Sequence, residues 1–382
     1  MSKKKVVICI DWYIPGFKAG GPIRSVANIV NAFKKDFEFY ILTSAYDLGE
    51  TKPYPGVPLN QWHDQGGVFI KYLDKTALNF PTIKGNLLEV APDIIYLNSL
   101  FSKIFTLYPL RYARKYNTKV ILAPRGMLGK GALEIKSPKK KVFLSVVKIL
   151  GWFKNLTWHA STADEEYEVK SVFGSKANVR IAQNIPISQE LELDDILDRK
   201  KTGKFKFVFL SRIAKKKNLH LAIEAFKTIK SENKIEFDIY GNIEDKEYYN
   251  TFKNKIGVVN DNVTINYKGV IIPSKVPDVY ANADYMLLPT KHENYGHAIV
   301  EAWANGCPVI ISKHTPWKNL KSRDLGWDVS IDSPDDLVKA IQESVDLDFT
   351  SYIQMVRASY NFFGTSIIDG KVLRDNKELF EI

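Results

Sequence analysis

The chain has 382 residues, 45% of them hydrophobic and 25% charged, and a formal net charge of +11. That length exceeds one ordinary core and suits two domains, and the composition excludes an intrinsically disordered or collagen-like chain. The charge is lopsided: residues 1–182 carry 27 Lys and Arg against 14 Asp and Glu, whereas residues 183–382 carry 27 against 29. A basic half favours an anionic partner such as a phospholipid surface, a pyrophosphate or a nucleic acid. Cys9 and Cys307 lie far apart in apolar runs and read as buried small hydrophobes in a reducing compartment. After Lys3-Lys4-Lys5 the run Val6–Ile10 stops at Asp11, too short for a secretory signal, and no apolar stretch approaches the ~20 residues that span a bilayer. A cytoplasmic chain is expected, peripheral on the inner face of the cell membrane where the basic half meets anionic lipid.

In chain order, strands are predicted at Lys5–Ile10, Phe37–Thr43, Val68–Leu73, Ile94–Asn98, Lys119–Ala123 and Thr157–Ala160. Between them lie helical patterns at Ile23–Phe33, Leu100–Tyr116, Ser137–Phe153 and Thr162–Phe173. Near-continuous apolar strands separated by helices indicate a parallel sheet covered on both faces. The segment over 137–154 is apolar round most of its circumference, with Lys141, Ser145 and Lys148 on a narrow polar stripe. Such a helix is ordinarily buried on both sides. The alternative is an interfacial helix, lysines on headgroups and Trp152 or Phe153 dipping into lipid.

Residues 183–203 contain Pro186, several acids and Lys-Lys-Thr-Gly, and read as a linker with a short helix. The alternation then restarts with strands at Phe205–Ser211, Ile235–Tyr240, Val263–Tyr267, Tyr285–Pro289 and Val309–Ser312, and helices that include Leu219–Lys230, Lys246–Ile256 and His297–Asn305. The organisation expected is a first domain over 1–182, a second over 204–357, and a closing helical stretch, about 358–382, that packs back on either. Two doubly wound sheets facing across a cleft is the simplest architecture, and ligands of such sheets bind beyond the carboxyl ends of the strands.

Three loops at those ends carry chemistry. Ala19-Gly20-Gly21-Pro22 follows the first strand; paired glycines admit close approach of a ligand, and amides at a helix start take anions. The same tetrapeptide can simply turn the chain, and it is not the G-x-G-x-x-G fingerprint. Arg212 and Lys217, after the strand Phe205–Ser211, suit a phosphate with a bidentate guanidinium and an ammonium; a solvated basic loop is the plain reading. The strand Tyr285–Pro289 leads to Glu293, Gly296 opens a helix with free amides and a positive dipole end, and Glu301 follows within it. Two carboxylates there can hold vicinal hydroxyls on either side of a phosphate, or serve as a helix cap and a surface charge.

The E-x7-E pattern Glu293 to Glu301, continuing Ala302-Trp-Ala304-Asn-Gly306-Cys-Pro308-Val-Ile310, resembles the retaining glycosyltransferases of family four. The likeness extends to Ser211-Arg212 with Lys217 and Leu219, to Phe237–Gly241, Tyr267–Val270 and Val279–Asp284, and to the Gly20-Gly21 loop. It implies the GT-B fold of two Rossmann-like domains and a nucleotide-sugar donor, UDP- or GDP-linked, whose sugar passes to a glycan or lipid-linked glycan acceptor in surface polysaccharide synthesis. It implies that Arg212 and Lys217 neutralise the diphosphate and that Glu301 binds the ribose. Glu293, with the amides of Asn294, Tyr295 and Gly296, orients the sugar; the backbone near Val270 meets the base; and Gly20 and Gly21 close over the diphosphate. The family's reaction is front-face departure and attack, with no protein nucleophile and no metal or other cofactor expected.

This chain departs from the family pattern in places. The histidine that relatives carry after the fifth strand is replaced by Ala123-Pro-Arg125-Gly126, so Arg125 or the Gly126 amide is the candidate contact to donor or acceptor, with Arg24 and His159 as further candidates. At the hinge, Gln183-Asn184-Ile185 stands for the usual Pro-Asn-Gly. Asp346-Leu-Asp348 resembles the D-x-D of single-domain transferases but reads as surface, and His292 and His297 have no ligand set around them. Two other readings remain: a nucleotide-sugar epimerase on the same fold, which needs carboxylate acid–base groups, and a basic nucleic-acid-binding protein, for which no DNA or RNA module motif is visible.

Overall fold

The computed structural model describes residues 3–129, 137–187, 189–201, 203–259, 261–368 and 370–382. They form two compact units: residues 1–185 with 370–382, and residues 186–369.

Unit 1 contains β1 (Lys5–Ile10), β2 (Glu38–Ser44), β3 (His63–Asp64), β4 (Phe69–Leu73), β5 (Ile94–Leu97), β6 (Lys119–Leu122), β7 (Thr157–Ala160) and β8 (Val179–Ile181). Their order in the sheet is β3-β4-β2-β1-β5-β6-β7-β8, parallel apart from the β3–β4 edge pair. Val6–Ile10 and Ile94–Leu97 are buried on both faces, the burial that unbroken apolar strands require.

Two helices differ from expectation for identifiable reasons. Phe80–Val90 is not apparent from periodicity because Gly85 and Asn86 interrupt it; its signal is Asn79, whose side chain accepts from the Thr82 amide at 2.9 Å, and Pro81 in the first turn. The helix expected over 100–116 divides into a π-turn at Lys103–Leu107 and an α-helix at Tyr108–Tyr116, because Pro109 lacks the amide that a continuous ladder needs.

Unit 2 contains β9 (Lys204–Leu210), β10 (Lys234–Tyr240), β11 (Gly257–Val258), β12 (Val263–Gly269), β13 (Tyr285–Leu288), β14 (Val309–Ser312) and β15 (Gly326–Val329), in the order β11-β12-β10-β9-β13-β14-β15. All but the β11–β12 pair run parallel. The chain reverses direction across the sheet between β9 and β13, so the loops after those strands open side by side, where doubly wound sheets take ligands.

The segment 183–203 divides at Ile185 and Pro186, and its short helix Leu193–Leu197 places Ile196 in the unit 2 core against Gly306. The closing stretch is not one helix. Phe349–Phe362 runs into a π-turn at Phe363–Ile367 that contains Gly364, and the chain re-enters unit 1 at Gly370, not near 358. There Phe380 is buried against Phe37, Phe39 and Tyr96, with ring centroids 5.5–5.9 Å apart.

Gly241, at φ 150°, lets the loops after β9 and β10 cross: a Cβ there meets the Ser211 carbonyl oxygen at 1.8 Å. Gly241→Ala is expected to cost about 3 kcal/mol, lowering the unit 2 transition in calorimetry by roughly 2–4 °C per kcal/mol. Gly85, exposed in mid-helix with nothing within 4 Å of its would-be Cβ, predicts the opposite sign. Gly85→Ala should raise unit 1 stability by about 0.5–1 kcal/mol.

Candidate functional site

In unit 2, β9 delivers the chain to a loop whose 3-10 turn, Lys215–Lys217, ends at Asn218 in the left-handed region (φ 58°) and enters the helix Leu219–Phe226. That turn is stitched to the loop after β13: the Lys291 amide donates to the Lys216 carbonyl at 2.8 Å, and Thr290 Oγ1 lies 3.2 Å from the same oxygen. The Glu293 amide donates to the His314 carbonyl beyond β14 at 3.0 Å, so three loops at the carboxyl edge hold one another.

Across this seam Lys217 Nζ donates to Glu293 Oε1 at 2.5 Å, with both side chains largely withdrawn from water. Burial raises the Glu293 carboxyl, but Lys217 first, then Lys216 and Arg212, outweigh it and hold the group below its ordinary value. Glu293 is therefore an anion inside a cluster of three cations. Arg212, half-exposed, is paired through Nη1 with Glu244 on the loop after β10, a partner that no sequence pattern singled out.

Gly296 opens the helix His297–Ala304 at φ 81°, ψ 61°. A Cβ there meets Ile299 Cδ1 at 2.8 Å and Glu293 Cγ at 3.3 Å, so the Glu293 side chain passes directly over the helix start. The first amides of a helix have no partner within it and carry its positive dipole end. Asn294 is half-buried; Tyr295 is buried against Trp317, whose indole N–H donates to the Tyr295 carbonyl at 2.7 Å. Glu301, in the second turn, is only 2% exposed, which rules out a surface charge. Val270 is exposed just past β12, after Gly269 accepts the Gly241 amide at 2.8 Å.

Thus the structure brings Lys217, Glu293, Gly296 and the Arg212 charge together on one edge. A cavity of about 540 Å³ opens elsewhere, on the sheet face beside Lys206, Asp238 and the start of β13, where Lys204 and Lys206 are paired with Glu236 and Asp238.

In unit 1, Gly20 (φ 71°) precedes the helix Gly21–Phe33, with Pro22 in its first turn and nothing within 4 Å of a Cβ at Gly20. Arg24 is half-buried in that helix. The other candidates are engaged within unit 1. Arg125 is held at φ 53°, and its Nε, Nη1 and Nη2 donate to Asn98 Oδ1 (2.7 Å), Asn184 Oδ1 (2.5 Å) and Tyr96 OH (2.7 Å). The Gly126 amide donates to buried Glu165 at 2.5 Å, so it is already spent within the fold.

His159 is 0% exposed and closed on both nitrogens: Nε2 donates to the Ala182 carbonyl at 2.8 Å, which leaves Nδ1 to accept from Tyr96 OH at 2.7 Å. Burial, then the Arg125 charge, lowers its pKa to about 3. These three residues brace unit 1: Asn98 Nδ2 reaches the Pro22 carbonyl at 3.1 Å, and Asn184 is the last polar residue before the chain leaves the unit. Asp346 and Asp348 serve local geometry, Asp346 accepting from Gln342 and Asp348 capping Phe349–Phe362 through the Ser351 amide at 3.0 Å. Among the described residues no group of three His, Cys, Asp or Glu side chains is placed to share an ion.

Residues 195–361 match the family model of glycosyl transferases group 1. The match takes in Arg212, Lys217, Glu244, Val270, Glu293, Gly296 and Glu301. An uncharacterised 41.2 kDa protein in the cps region of Klebsiella pneumoniae is 24% identical over 226 residues, 57% of this chain and 59% of that protein. The alpha-monoglucosyldiacylglycerol synthase of Streptococcus pneumoniae is 29% identical over 121 residues, 31% of this chain and 27% of the synthase. The chain thus spans less than two thirds of the length of these relatives. Across the whole chain the fold resembles that of Anabaena HepE, solved with UDP and glucose: TM-score 0.72, 14% identity, 99% of this chain and 98% of that one covered. With both sheets parallel but for an edge pair, the fold is GT-B, two Rossmann-like units, and unit 2 carries the group 1 match.

The His159 geometry has a pH consequence. Its folded pKa lies below the ordinary 6.5, so as pH falls the unfolded chain takes up a proton that the native imidazole refuses. Stability from this group is complete above pH 6.5 and is expected to fall by about 1.4 kcal/mol per pH unit below it. Urea midpoints between pH 7 and 5 should show that slope in the wild type and lose it in His159→Gln.

Proposed function

We propose that the chain is a retaining glycosyltransferase that moves a sugar from a UDP- or GDP-sugar to a hydroxyl of a glycan acceptor, lipid-linked in surface polysaccharide synthesis. The observation that carries the reading is the cluster of Lys217, Arg212 and Glu293 at the helix start at Gly296, inside the group 1 match. HepE, solved with UDP and glucose, supports the donor class, and the cps-region location of the uncharacterised Klebsiella protein fits a polysaccharide setting.

In this reading the diphosphate displaces Glu293 from part of its contact with Lys217 and takes Lys217, Arg212 and the helix-start amides as its own counter-charge. Negative charge grows on the leaving phosphate oxygen as the glycosidic bond stretches, so a fixed positive field stabilises the transition state more than the bound donor. That oxygen then takes the proton of the attacking hydroxyl on the same face, which retains the anomeric configuration without a protein nucleophile. The carboxylate of Glu293 turns to the sugar hydroxyls, Glu301 to the ribose, and the backbone at Val270 to the base. With two cations and a helix dipole at the diphosphate, the reaction is proposed to proceed without a metal.

Thermal-shift screening with UDP-, GDP-, dTDP- and CDP-sugars identifies the donor, and its slow hydrolysis reports turnover without the acceptor. Lys217→Ala should lower turnover ~100-fold. Lys217→Met/Glu293→Gln, which strands no buried charge, should be equally slow, and Glu301→Ala should weaken nucleotide binding about tenfold. Wild-type turnover in either Lys217 variant, or no stabilisation by any of the four donors, overturns the proposal.

A further inference from the structure

Unit 1 buries only one face of the helix Ser137–Ile149. Leu144 and Val147 are in the core, Phe143 packs against it, and Lys140 lies over the Phe101 ring at 5.3 Å. The opposite face carries Val142 at 64%, Val146 at 46% and Ile149 at 85% exposure, followed by Leu150 at 53%. Spacings of four and three place these side chains in one stripe. Of the residues expected to meet lipid, Phe153 is buried, and Trp152 is half-buried with Arg114 5.9 Å over its ring.

Lone exposed aliphatics are ordinary on a protein surface, but a ridge of four is not. Its surroundings select the partner. Lys139, Lys141 and Lys148 are exposed on the same helix, Lys154 follows it, and Arg114 Nη1 donates to the Leu150 carbonyl at 3.3 Å. From residue 135 to 163 the sequence has six lysines and no Asp or Glu. Two copies of this face would oppose lysine to lysine, whereas an anionic bilayer offers acyl chains for the ridge and phosphates for its flanks. The helix has 13 residues, short of the ~20 that cross a bilayer, so it suits the plane of the interface.

We infer that this stripe docks unit 1 on an anionic lipid bilayer, with Val142, Val146, Ile149 and Leu150 in the headgroup–acyl boundary and the lysines on lipid phosphates. The inference does not rest on the glycosyl-transfer reading. It makes any lipid-linked substrate reachable by a chain in which, among the described residues, no helix is long and apolar enough to cross a membrane.

The test is co-sedimentation of the full chain with vesicles of phosphatidylcholine alone and of phosphatidylcholine mixed with phosphatidylglycerol. Wild type is expected to bind the mixed vesicles and not the neutral ones. Val142→Ser/Val146→Ser/Ile149→Ser, with an unchanged circular dichroism melt, should lower the partition coefficient at least about tenfold, as should Lys139→Glu/Lys141→Glu/Lys148→Glu. Wild type that ignores phosphatidylglycerol vesicles, or a serine variant that binds as wild type does, overturns the inference. So does light scattering that shows a dimer which the serine variant dissolves, because a second copy then covers the ridge.

Discussion

A nearly dry ion pair, Lys217 to Glu293, joins the loop after β9 to the loop that opens the helix His297–Ala304. Either partner alone in that position would be a desolvated charge, so each holds the other, and the loops that carry them, in place. The amide links from Lys291 to Lys216 and from Glu293 to His314 make the arrangement a small frame, not a pair of mobile side chains. Its net charge is positive once Arg212 and Lys216 are included, which is why the Glu293 carboxyl stays ionised despite its burial. The frame therefore supplies a preorganised field, the kind of environment that favours charge appearing on a leaving group.

Unit 1 uses its own polar chain differently. Arg125, Tyr96 and His159 pass hydrogen bonds in one direction to the Ala182 carbonyl, and Arg125 also reaches the asparagines that touch Pro22 and end the unit. Such a chain fixes the geometry of its members, and His159 at its end has both ring nitrogens engaged. His159, a candidate contact to donor or acceptor in the sequence, is enclosed here with its pKa lowered by burial. The outward ridge of Ser137–Ile149 is the converse: apolar side chains that the core leaves unused, set among lysines.

Much of this was legible in the residues. Lys5–Ile10, Thr157–Ala160 and Val309–Ser312 follow from apolar runs bounded by turns, and two doubly wound sheets follow from their alternation with helices; the GT-B assignment came from the family resemblance. The basic loop at Arg212 and Lys217 and the glycine at the helix start were also readable, because backbone constraints and charge leave local marks. Phe80–Val90 was hidden by its mid-helix glycine, and Glu244 by the absence of any local reason for it to face Arg212.

By itself, then, the sequence determined most of the strands and helices, which residues stand at the carboxyl ends of the strands, and that the positive charge is concentrated in one half. Those properties depend on neighbours a few positions away. Only the tertiary structure decided that Lys217 and Glu293 meet, that Arg125 and His159 face inward to each other's partners, and that an apolar helix shows one face to solvent. Each of those depends on pairs 23 to 76 residues apart, or on what the core has room to cover. Periodicity along a chain carries no information about distances across it.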